Sequence, residues 1–155
     1  MSTNVALSQI KLSPHFSLWE FVTSQTGERQ NIDNTPSDEV IANLRTLCTS
    51  ILEPARAALG PLRVSSGYRS LALNAAIGGS KTSAHMLGFA ADIIPLNTTK
   101  LAFAKWVAAN SNFDQIILEF GTPIEPAWIH VSCEPKMRKQ ILKTVDGGGY
   151  APAQL

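Results

Sequence analysis

Cysteine is scarce. Cys48 and Cys133 are the only two in 155 residues, and neither belongs to a Cys-x-x-Cys pair. A disulfide framework and a thiolate zinc knuckle are thereby excluded. Charge is scarce too: charged residues make up 16% of the chain, below the roughly 25% of an average globular domain. Thirteen basic side chains meet 12 acidic ones for a net charge of +1, so no long-range field draws the protein to nucleic acid or to an anionic membrane. No run approaches the ~18 apolar residues of a membrane span. Repeats, low-complexity runs and coiled-coil heptads are missing as well, so a monomer with no nucleic-acid partner and no membrane insertion is expected. Met1 to Gln9 has no basic start followed by an apolar stretch, and no secretory signal is read there. The expectation is synthesis in the cytosol, with any outside substrate reached by other means.

What the chain does have is apolar material for a core, 45% of its residues, in a length that suits one domain over 1–155. Residues 1–12 and the glycine-rich tail 147–155 are expected to be flexible ends. Ser13 to Ser24 reads as a short first helix anchored by Phe16, Trp19 and Phe21, and Asn31 to Pro36 as a turn. Ser37 is a candidate N-cap for the main helix, whose apolar residues Val40, Ile41, Leu44, Leu47, Cys48, Ile51, Leu52, Ala55 and Leu59 recur at the helical period. A kink is expected near Pro54 and a stop at Gly60-Pro61. Cys48 lies on that stripe and reads as a buried, inert thiol. Beyond it come a strand at 62–65, a short helix at 71–77, a strand at 90–96 and a helix at 101–109 capped by Thr98 or Thr99. Three further strands follow at 113–120, 128–133 and 139–145. Helices first and mostly antiparallel strands later describe an α+β fold, with helices packed on a sheet.

There are three histidines. His85 and Asp92 are separated by six residues, too many for one helical face but suited to a loop feeding a strand. His130 lies in Trp128-Ile-His-Val-Ser132, where alternation puts residues 128, 130 and 132 on one strand face. Two imidazoles and a carboxylate make a candidate catalytic zinc set with a fourth position for water, whose pKa such an ion lowers to about 7.

The ordered motifs Ser65-Ser-Gly-Tyr-Arg-Ser70, Ser83-x-His-x-x-Gly-x-Ala-x-Asp-Ile93 and Trp128-Ile-His130 resemble those of the D-Ala-D-Ala carboxypeptidase family of zinc peptidases. That family shares its fold with the amino-terminal signalling domain of hedgehog proteins. Within it, the chain is most similar to small phage and prophage members acting on peptidoglycan. The resemblance runs from about His15 to His130 and takes in Ile32–Pro36 and Asn74–Gly79. It implies one zinc ion on His85, Asp92 and His130, peptidoglycan stem peptides as substrate, and Arg69 facing that substrate. A fixed guanidinium there can grip a terminal carboxylate or a developing oxyanion. Ser83, Tyr68 and Trp128 are the other substrate-side candidates. Tyr68 and Asp114 also read as packing or hydrogen-bonding residues, Trp128 as a cleft wall, and His15 as structural.

The general base is where the chain departs from the family pattern. Many members carry an acid three residues before the last histidine ligand, and here that position is Ala127. Glu119, at the end of the strand 113–120, and Glu125, at an expected loop tip, are the two candidates. Glu119 is favoured because a hairpin of 113–120 with 128–133 would turn it toward His130. The resemblance therefore implies a zinc peptidase cutting peptidoglycan amides as a D-Ala-D-Ala carboxypeptidase or endopeptidase, in an endolysin-like phage setting. It would act on the wall after release or as a virion component. The alternative is a non-catalytic, zinc-bearing cell-wall binding or phage structural module of the same fold.

Overall fold

A computed structural model describes residues 3–146 and 148–155. In chain order it contains α1 (Thr3–Ser8), β1 (Lys11–Ser13), β2 (Phe16–Ser17), α2 (Leu18–Val22), α3 (Gln25–Arg29), α4 (Asp38–Leu47), α5 (Glu53–Leu59), β3 (Leu62–Ser66), α6 (Leu71–Ile77), β4 (Ala90–Pro95), α7 (Lys100–Asn110), β5 (Gln115–Glu119), β6 (Trp128–Ser132), β7 (Gln140–Thr144) and β8 (Tyr150–Pro152). Ser37, Ser70 and Thr99 begin α4, α6 and α7, each side-chain oxygen accepting from a backbone N–H three residues on.

The main helix is interrupted by a wide π turn at Cys48–Leu52, where Glu53 N–H bonds the Cys48 carbonyl. This is the irregularity expected near Pro54. Proline lacks an N–H and crowds the carbonyl four residues back, and a turn widened just ahead of it removes that conflict. The first helix is shorter than expected. Its first residues form the β1–β2 hairpin, and Ser17 N–H donates to Glu20 Oε2 at 2.7 Å, so the helix starts only at Leu18. The short α3 falls in a stretch too brief for periodicity to register.

Six strands form one sheet in the order β3-β4-β6-β5-β7-β8, with β5 and β7 parallel and the other neighbours antiparallel. The fold is α+β. Alternation divides the sheet into two faces. Ala91, Ile93, Ile116, Leu118, Ile129 and Val131 point to one side and are almost wholly buried, in a core with Leu44, Leu47, Phe103 and Val107. The other face carries a row of cross-strand partners, Asp92, His130, Ile117, Leu142 and Pro152. Two residues along each strand, Glu119 pairs with Trp128 and Thr144 with Tyr150, on that same face.

Both ends carry regular structure. Residues 11 and 12 belong to β1, and residues 150–152 are tied to β7, with Ala153 N–H donating to the Ile141 carbonyl at 2.9 Å. Met1, Ser2 and Gly147 lie outside the described residues.

Candidate metal centre

Asp92 and His130 are direct cross-strand partners on β4 and β6. His85 reaches them from a single 3₁₀ turn, Ala84–Leu87, which Ser83 opens by accepting from His85 N–H at 3.2 Å. Gly88 closes the turn at φ +81°, and a Cβ there would lie 2.7 Å from the Val40 carbonyl oxygen. Only glycine suits both demands, so this residue seats the His85 turn on α4.

The three donor atoms form a nearly equilateral triangle. His85 Nε2 lies 3.3 Å from Asp92 Oδ1, and His130 Nδ1 lies 3.2 Å from each of them. A tetrahedral zinc site with ligands at 2.0–2.1 Å has edges of about 3.3 Å, so the triangle matches one face of such a site. All three residues are buried. Among the described residues they form the group of metal-type donors that could hold an ion. His85 Nδ1 lies 2.7 Å from the Gly67 carbonyl. That oxygen can only accept, so Nδ1 carries the proton and Nε2 turns a lone pair toward the triangle. Gly67 itself is held close to α2, where a Cβ would come within 2.5 Å of the Phe21 carbonyl oxygen. Burial pushes the Asp92 carboxyl up, but the charges and hydrogen bonds of His85 and His130 outweigh it and hold the group well below the usual carboxylate range. An ionised oxygen and imidazole lone pairs are a donor set that suits zinc.

The triangle opens on a cleft of about 560 Å³ whose lining includes Arg69, Ser83, Glu119, Phe120, Trp128 and Tyr150. Glu119 is 8% exposed. Burial raises its carboxyl to about 7, with His130 pulling down, Asp92 pushing up and Arg69 pulling down. Arg69 takes its place from Ser70, the cap of α6, and from its own N–H, which donates to the His85 carbonyl at 3.1 Å. Its Nε is buried without a hydrogen-bond partner among the described residues. Burial lowers the guanidinium's pKa, against the opposing pull of Asp92, Glu119 and Tyr150. Trp128 walls the cleft against Phe120, ring centroids 5.2 Å apart.

Most residues singled out from sequence thus meet here: His85, Asp92, His130, Glu119, Arg69, Ser83 and Trp128. Tyr68 does not. It packs, partly buried, against the core and is not among the residues lining the cleft, and its carbonyl accepts from Asn34 Nδ2. Glu125 is exposed on the loop between β5 and β6, away from the cleft lining. His15 pairs with Glu53, and Asp114 is fully buried in a two-pronged ion pair with Arg138. Cys48 and Cys133 are buried in the core, their thiols raised by that burial. Tyr150 was missed in the reading of residues 147–155 as a flexible tail. Asp146-Gly147 after the strand 139–145 is a hairpin signal that could have found it.

A family model described as Peptidase M15 matches residues 14–132, more than half of the chain. The chain belongs to the peptidase M15 family. No curated protein matches it. M15 peptidases are zinc-dependent, and the metal-type donors, Arg69 and Glu119 of this M15 chain all lie inside the matched span. It is a metallopeptidase by family, and β7 and β8 lie beyond the match.

Proposed function

We propose that this M15 metallopeptidase hydrolyses amide bonds in the peptide stems or cross-links of bacterial peptidoglycan, holding one zinc ion on His85, Asp92 and His130. The observation that carries the reading is the donor triangle of zinc-site dimensions opening on the cleft that holds Glu119 and Arg69. A zinc ion supplies Lewis-acid polarisation of a peptide carbonyl and acidifies water.

The chain's own groups divide the remaining work. Gly67 fixes the His85 tautomer through its carbonyl. Arg69, which lines the cleft, holds a terminal carboxylate of the substrate or the oxygen on which charge develops at the scissile carbonyl. Glu119 accepts a proton from the attacking water at a carboxylate oxygen and returns it to the departing amine nitrogen. A carboxyl near 7 suits both halves of that transfer at neutral pH. Ser83 steadies the His85 turn, and Trp128 lines the wall against which the peptide lies. On this reading the protein acts on the cell wall after release from the cytosol or as part of a virion.

The test is mass spectrometry of defined muropeptides after incubation with the protein and zinc. New amine termini at a single peptide bond are expected, and the mass of the products distinguishes carboxypeptidase from endopeptidase action. Failure to cut any peptidoglycan chemotype, with metal bound and the fold intact, would overturn hydrolysis in favour of a binding module.

A further inference from the structure

One wall of the cleft comes from outside the span that defines the family. After residue 132 the chain returns as β7 beside β5, then folds back as β8, with Val145 N–H bonding the Gly149 carbonyl at 3.2 Å. Gly148 and Gly149 sit at φ +81° and +116°, conformations glycine enters without strain. The register is decisive. Pro152 stands in the row of Asp92 and His130, so Tyr150, two residues earlier, faces the same way and pairs with Thr144. Thr144 in turn accepts from Phe120 N–H through its hydroxyl at 2.8 Å, locking this end of β7 to the end of β5 beside Glu119. Strands are about 4.8 Å apart, which puts the Tyr150 backbone about 10 Å from that of Glu119, with both side chains rising from the same face of the sheet into the cleft.

Tyr150 lines the cleft with Arg69, Asp92, Glu119 and His130. It is 56% exposed, so burial in the core is not what holds the ring there. Burial and the nearby charges of Glu119 and Asp92 hold its phenol above the usual value against the pull of Arg69, and the hydroxyl keeps its proton at neutral pH. Glu119 and Asp92 are acceptors when ionised, whereas an oxygen gaining negative charge needs donors. Arg69 provides one set of donors, and the phenol is another.

We propose that Tyr150 is a substrate-binding residue of this peptidase, its phenolic O–H donating a hydrogen bond to the oxygen of the scissile carbonyl alongside the Arg69 guanidinium. The assignment rests on the peptidase reading above and extends the working site into the C-terminal hairpin.

Tyr150→Phe removes a single oxygen from an exposed ring, and the fold should survive it. With wild type and variant matched for zinc content and melting temperature, kcat on a muropeptide should fall about tenfold or more, the direction set by loss of an oxyanion donor. KM should stay within about twofold, the pattern of an interaction made in the transition state. A phosphinate analogue of the cleaved dipeptide, with a tetrahedral anionic centre, should bind the variant more weakly by a comparable factor in calorimetry. Unchanged kcat and phosphinate affinity in Tyr150→Phe, with an active wild type, overturns the role of Tyr150 alone. A raised KM with unchanged kcat overturns the carbonyl contact. A wild type that cuts no muropeptide overturns the peptidase reading and this assignment with it.

Discussion

The two faces of the central sheet are built from the same strands by opposite rules. On one face, Ala91, Ile93, Ile116, Leu118, Ile129 and Val131 are sealed against helices, with every side chain satisfied by contact alone. On the other, Asp92, His130 and Glu119 are also buried, yet they bring charge and lone pairs into a space that core packing does not fill. Burying polar groups costs free energy unless partners compensate. The site face recovers part of that cost within the His85–Asp92–His130 triangle and leaves Arg69 Nε unmatched. Stability is concentrated on one face and reactivity on the other, one residue apart along each strand.

Neighbouring substitutions on β6 separate the faces most sharply. His130→Ala should reduce peptidase activity to background and abolish stoichiometric zinc binding, while the metal-free protein keeps its fold by circular dichroism. Ile129→Ala, its neighbour, should lower unfolding free energy by about 2–5 kcal/mol in urea, by cavity formation, with zinc still bound under native conditions. If both variants lost stability equally and both kept metal, the division of the sheet would be wrong.

Glu119→Gln should lower kcat by about 10²–10⁴-fold, the usual reach of general acid–base catalysis, with zinc content unchanged by elemental analysis. Glu125→Gln on the exposed loop is the matched control and should leave kcat unaltered. A smaller effect is expected where the faces meet α2. Gly67→Ala presses a methyl on the Phe21 backbone and shifts the carbonyl that orients His85. Competition with a chromophoric chelator should show zinc affinity down about 10–100-fold, as for other lost partners of metal ligands.

A further contrast between the groups of the site lies in the pH dependence of the metal-free protein. Glu119 binds its proton more tightly when folded, near 7 against an ordinary 4.5. Its contribution is therefore complete below pH 4.5 and fades as pH rises toward 7. Asp92 behaves oppositely: its folded value is depressed below 3.8, so its contribution holds above that pH and is lost on acidification. Thermal melts between pH 5 and 8 should show wild type losing stability relative to Glu119→Gln as pH rises. Parallel curves would place Glu119 in contact with water.

Much of this molecule was legible from local pattern. The caps at Ser37 and Thr99, the stripe of α4, the stop at Gly60, the short helix at 71–77 and the alternation through 128–132 all reflect chemistry acting within a few residues, and each element stands close to its expected place. The candidate ligands were legible because their spacing matched a family motif. Less legible was anything set by a distant neighbour. The π turn depends on how Pro54 settles in the helix, the β1–β2 hairpin displaced half of an expected helix, and Gly67 passes so close to Phe21 that a Cβ there would clash.

By itself the chain determined which side chains share a face of each strand and where the capped helices α4 and α7 begin, because side-chain period and capping are properties of adjacent residues. Only the tertiary structure decided that Asp92 stands opposite His130, 38 positions away. It also turned Glu119 rather than Glu125 into the cleft and brought Tyr150 back to the site. Those outcomes depend on strand register, which is chosen by the whole sheet minimising exposed apolar surface and unpaired backbone, and no short segment encodes it.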